Sequence, residues 1–195
     1  MNAHAFADPV FDAQRVFRAA MNALARPGTL HQLDTIVRPP VHLPLELAAL
    51  ALTLADHETP LWLDAALTGA PEVADYLRFH TGAPLVSHPR EAAFALISDP
   101  ALCPSLANFA PGTDEYPDRS TTLLIQVGTL AAAHGFSLRG PGIADVASLH
   151  ADPLPPAFLR EWAMNRVLFP CGVDVVFAAQ GMIAGLPRTI DVETA

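Results

Sequence analysis

The chain has 195 residues, 51% of them apolar and only 16% charged, which excludes a disordered chain and supplies enough apolar side chains for one well-filled core. A net charge of −9 disfavours non-specific binding to nucleic acid, which needs a basic surface to displace counterions. All eleven basic residues are arginine, so a lysine Schiff base is excluded whatever the fold.

In chain order, residues 10–26 form an amphipathic helix. Asp8-Pro9 starts it and Arg26-Pro27-Gly28 ends it. Val10, Phe17, Met21 and Leu24, with Phe11 and Ala20 beside them, recur at helical spacing and mark its apolar face. Residues 29–37 (TLHQLDTIV) alternate as a strand does, and prolines 39, 40 and 44 lead into a second helix over 45–55. Residues 59–63 (TPLWL) fit a buried strand, 71–80 a third helix, and 84–87 and 92–97 two further strands. Residues 99–120 are rich in Pro, Gly, Asp and Asn and form the longest irregular excursion, with a helical hint at 102–109. Residues 121–127 (TTLLIQV) are the clearest central strand, and 136–139 follow as another. A helix over 155–167 begins at a Pro-Pro pair. Strands at 173–178, 182–186 and 189–192 close the chain as a meander. Helices interleaved with short strands define an α/β class with a mixed sheet, in a single domain spanning 1–195. No apolar run reaches the ~20 residues of a membrane helix. The leading residues lack the basic-then-apolar pattern of a secretory signal, so the expectation is a cytoplasmic protein away from membranes.

Several residues could carry chemistry. Asp56 and His57 follow the second helix, and Arg78 and His80 close the third, each beside a turn. Together they could form a polar pocket, Arg78 gripping an anion and a histidine moving a proton. The simpler reading is that Asp56 closes a turn while Arg78 and His80 complement the carbonyl-rich end of a helix. Arg139, at the head of Arg139-Gly140-Pro141-Gly142, could face a phosphate that the glycines let approach, or the segment is a tight turn. Arg188, after Pro187, could meet a ligand or a partner's carboxylate, or lie on an edge strand. Neither Walker nor GxGxxG spacing occurs, nor HExxH, and Cys103 and Cys171 form no metal spacing, so no metal is expected.

Taken in order, ten segments resemble one family: FDAQRVFR (11–18) with RPG (26–28), LTLAD (52–56) with TPLWL (59–63), and LRFHT (77–81) with APLV (83–86). TTLLIQV (121–127), GPGIA (140–144), FPCGVD (169–174) and PRT (187–189) complete the series. This resembles the PhnH family, subunits of the bacterial carbon–phosphorus lyase core complex in phosphonate metabolism. The resemblance implies a three-layer fold like the large domain of pyridoxal-phosphate transferases. It implies a homodimer that joins PhnG, PhnI and PhnJ. It also implies a role, with PhnG, PhnI and PhnL, in displacing adenine from ATP by an alkylphosphonate. It assigns no catalytic residue. Without lysine the chain cannot hold pyridoxal phosphate as an aldimine, and two cysteines are too few for an iron–sulfur cluster, so no cofactor is expected. The alternative is a stand-alone small-molecule or anion-binding enzyme with a cleft built from Asp56, His57, Arg78, His80 and Arg188.

Overall fold

A computed structural model describes residues 5–194. In chain order the elements are α1 (Pro9–Ala25), β1 (His31–Gln32), α2 (Leu45–Leu54), β2 (Leu61–Leu63), α3 (Ala65–Thr68), α4 (Pro71–Thr81), β3 (Leu85–Val86), β4 (Phe94–Ile97) and β5 (Thr122–Gln126). They continue through β6 (Thr129–Arg139), β7 (Ala147–Asp152), α5 (Phe158–Val167), β8 (Asp174–Ala179), β9 (Met182–Leu186) and β10 (Asp191–Thr194). The main sheet has seven strands in the order β1-β9-β8-β5-β4-β2-β3. Its run from β3 to β8 is parallel, while β9 and β1 add antiparallel. A second, three-stranded antiparallel sheet is ordered β10-β6-β7.

The central strands read as continuous apolar runs because both of their faces are covered. Leu96, Leu124, Val176 and Ala178 point to one core with α1, α2 and α4. Their neighbours Ala95, Ile97, Leu123, Ile125, Val175 and Phe177 point to the other, with α5, the second sheet and Phe109. The period-2 alternation of a strand thus divides one sheet's side chains between two hydrophobic layers.

Local chemistry sets the helix ends. Asp8 caps α1 by accepting from the Phe11 N–H, and Pro9 occupies the first turn, where a missing N–H costs nothing. Gly82 ends α4 at φ 71°, a left-handed conformation in which a Cβ would be strained. Between β4 and β5 the expected irregular stretch holds single 3₁₀ turns at Pro100–Leu102, Leu106–Asn108 and Pro117–Arg119.

Four features depart from the sequence reading, the first being the strand expected over 29–37, which is a strand only at His31–Gln32. The large apolar side chains of α1 face outward: Val10, Phe11, Phe17 and Met21 are exposed, while Asp12, Val16, Ala19, Ala20 and Ala23 are buried. The cause is close approach to β9, where a Cβ on Gly185 would lie 2.5 Å from the Ala23 carbonyl oxygen. Only small side chains fit between helix and sheet at that spacing. The C-terminal strands do not form a meander. β8 and β9 make a hairpin through Gln180-Gly181, both at positive φ as such a two-residue turn requires, but β10 crosses to the second sheet. The strand expected at 136–139 is the end of the 11-residue β6, whose partner β7 the sequence reading leaves out.

Candidate functional site

The chain runs outward from β2 to β3, returns to β4 on the other side of β2, and then proceeds to β5 and β8. The direction of winding therefore reverses between β2 and β4, and open α/β sheets take ligands beyond the carboxyl ends of such a pair. Here that position holds Asp64, which is fully buried. Its carboxylate accepts from the Leu67 N–H (2.9 Å), the Ser98 N–H (2.6 Å) and hydroxyl (2.9 Å), and the Asp99 N–H (3.1 Å). Four donors satisfy the buried side chain and tie the ends of β2 and β4 together. Cys103 lies close by. Burial, with the charges of Glu161 and Asp64 adding, pushes its thiol up to about 12, so it is not a nucleophile at neutral pH.

The sequence-derived candidates lie elsewhere. Asp56 and His57 sit in the connection that enters β2, and Arg78 and His80 sit in the last turn of α4, which leads into β3. Both connections run from helix to strand, so they lie at the amino ends of the parallel strands. The fold does bring these two together, since a Cβ on Gly82 would lie 3.7 Å from that of His57. Asp56 also closes its turn, accepting from the Thr59 hydroxyl (2.6 Å) and the Glu58 N–H (2.9 Å). Those bonds, the hydroxyl's first, hold its carboxyl below the ordinary aspartate range. His57 is exposed, 4.0 Å from Glu58, and the His80 ring packs against Tyr76 and Phe79.

Arg139 and Arg188 are separate from that pair. Arg139 ends β6 and meets Asp145 at 3.5 Å in solvent. Arg188 lies at the amino ends of β5 and β8, with β4 between it and β2. Its guanidinium donates from Nε to Asp174 Oδ1 (3.1 Å) and from Nη2 to Asp174 Oδ2 and the Ser120 hydroxyl. Nη1 donates to the carbonyls of Pro117 (2.8 Å) and Pro170 (3.4 Å). An arginine has five N–H donors, and all five are used within the chain. Arg188 is a clamp between β8 and the loops before β5 and β8.

Two surface hollows lie outside the sequence reading. A groove of about 500 Å³ runs between α5 and the 105–111 segment. Buried Leu106, Phe109 and Val173 form its floor, Met164 and Leu168 its flank, and Arg90 and Arg160 stand at its edge. Glu161 helps to shape it by accepting from the Leu106 N–H (2.8 Å). A polar hollow of about 280 Å³ lies between α1 and β1, with Arg15, Arg18, Asn22, His31 and Asp34 around it. Arg160 and Met164 on α5 and Leu168 at its C-cap are spaced four apart, and that spacing was the signal in the sequence for the groove's flank. Among the described residues no three His, Cys, Asp or Glu side chains are grouped to hold a metal ion, and no helix is long and apolar enough to cross a membrane.

An α/β chain with a buried carboxylate lock at its winding reversal and a clamped arginine at the opposite end matches a known family over nearly its whole length. It belongs to the PhnH family, described as bacterial phosphonate metabolism protein (PhnH), whose model matches residues 4–193. A curated relative from Rhizobium meliloti (strain 1021) is the alpha-D-ribose 1-methylphosphonate 5-triphosphate synthase subunit PhnH. It is 45% identical over 191 residues, covering 97% of this chain and 94% of its own length. HtxG, a protein of Stutzerimonas stutzeri named for C-P lyase, is 28% identical over 78 residues, 40% of each chain.

Proposed function

We propose that this chain is an accessory subunit of a ribose 1-methylphosphonate 5-triphosphate synthase in phosphonate catabolism. It acts in the cytoplasm as a homodimer joined to PhnG, PhnI and PhnJ, holds no cofactor, and is needed with PhnG, PhnI and PhnL for transfer of the ribose triphosphate of ATP to an alkylphosphonate. The observation that carries this is the 45% identity, over 97% of the chain, to a subunit of that synthase. The surface supports it. Large apolar side chains stand exposed on α1 (Val10, Phe17, Met21) and around the end of α5 (Met164, Val167, Leu168, Phe169). These two areas belong to elements packed on opposite faces of the main sheet, as in a subunit with neighbours on two sides. The likeness to the large domain of pyridoxal-phosphate transferases stays part of this proposal, with the aldimine chemistry removed by the lack of lysine.

Adenine release from ATP and methylphosphonate is the test. The chain alone should release none. The remaining subunits should be inactive until this chain is added back. Release by the isolated chain, or full activity without it, would overturn the assignment.

A second reading is favoured by the nearness of His57 to Gly82, where an added Cβ would lie 3.7 Å from the His57 Cβ, which sets the Asp56–His57 turn beside the end of α4. There the pair forms an anion cradle with Arg78 and His80 as its basic groups. Changing both to alanine should abolish calorimetric binding of methylphosphonate while the fold persists. Wild-type protein giving no heat would sink this reading.

A further inference from the structure

We propose that the groove between α5 and the 105–111 segment is the docking site for a segment of a different subunit, one with apolar anchors flanked by carboxylates. The proposal rests on the assembly reading above and assigns it a surface. The groove does not end as an enclosed pocket. Its flank runs on over Val167 (83% exposed), Leu168 and Phe169, an apolar strip that water leaves uncovered in the single chain. A small solute would fill the 500 Å³ and leave that strip bare, whereas a polypeptide segment covers both.

Charge selects the occupant. Arg160 has no partner among the described residues, and Arg90 makes one bond, to the Ala107 carbonyl oxygen at 3.2 Å. Against these two arginines the lining holds one carboxylate, Glu161, whose Oε2 accepts from the Leu106 N–H. The groove edge is therefore positive on a chain whose net charge is −9, and carboxylates on the incoming segment complement it. A second copy of this chain fits poorly. Face-to-face pairing would set arginine against arginine. Docking of α1's outward stripe would bring Arg15 and Arg18 to the same edge. Apolar anchors would seat over Leu106 and Phe109, with Met164 adapting its unbranched side chain to them.

The test uses the full chain, tagged and coexpressed with the other synthase subunits. Met164→Asp with Leu168→Asp, both at exposed positions, should abolish copurification of those subunits. Arg160→Glu should weaken capture at least tenfold, and more at low salt than at high. The melting temperature and the homodimer mass should match wild type in each. Normal copurification by both variants would overturn the groove assignment while leaving the assembly reading in place. Failure of the wild type to capture any subunit would overturn both. If the variants assemble normally but lose an ATP-induced rise in melting temperature, the groove is a small-molecule pocket and the docking proposal is wrong.

Discussion

Replacing Arg188 with alanine tests whether the arginine is a structural clamp. The side chains of Arg188 and Asp174 are only 13% and 19% exposed, and the alanine variant would leave the Asp174 carboxylate with only the backbone N–H of position 188 (2.7 Å) while stranding two carbonyls and the Ser120 hydroxyl. Breaking a fully buried ion pair from one side costs about 3–5 kcal/mol. Residual solvent contact lets Asp174 regain some hydration, so about 2–4 kcal/mol is expected here. For a chain of this length each kcal/mol moves the melting temperature by roughly 2–4 °C, which places the variant about 5–15 °C below wild type. Arg188→Lys, with three donors in place of a planar fork, should fall between the two. Arg139→Ala serves as the control, because its 3.5 Å pair with Asp145 lies in solvent and its loss should not shift melting measurably. Differential scanning calorimetry reads all three. An Arg188→Ala protein melting within 2 °C of wild type (roughly the effect of under 1 kcal/mol) would refute the donor accounting and return Arg188 to the set of ligand candidates.

Three further outcomes are expected. Asp64→Asn keeps the shape but, whichever way its amide faces, sets an NH2 against a donor, at the least the Leu67 N–H, and should cost about 2–4 kcal/mol in urea unfolding; a loss below about 1 kcal/mol would mean the lock is dispensable. Gly185→Ala, whose Cβ would meet the Ala23 carbonyl, should lower the urea midpoint by an amount worth about 1–3 kcal/mol, whereas Gly181→Ala, with open space around it, should cost only about 1 kcal/mol for its positive φ. Asp12 is held below the ordinary aspartate range, first by the Asp8 N–H and also by Arg15, against the opposing effect of burial. A depressed carboxyl contributes stability above its unfolded value of about 3.9 and loses it as pH falls through the folded value. Asp12→Asn should therefore be less stable than wild type at pH 7, with the gap closing below about pH 4; a gap unchanged down to pH 2 would show that charge is not the cause.

The sequence by itself determined what short-range rules govern. The Asp8-Pro9 start of α1, the glycine end of α4, the apolar strands β4, β5 and β8, and the irregular stretch between β4 and β5 were all legible, because capping, φ preference and continuous apolar runs act locally. The missing lysine was legible too, and no fold can alter that exclusion. Tertiary structure decided the rest. Which apolar face of α1 is buried depends on how near β9 lies, a distance set by Gly185 some 160 residues away in the chain. β7 (ASLHAD) has little strand character of its own and exists because β6 offers it a ladder, where Gly135 permits close contact with Leu149. Arginine counts could not show that Arg188 spends all five donors internally while Arg160 keeps its own free among the described residues. Donor accounting needs partners that the chain supplies only after long-range packing, and the same packing builds the groove beside α5 from residues as far apart as Arg90 and Val173.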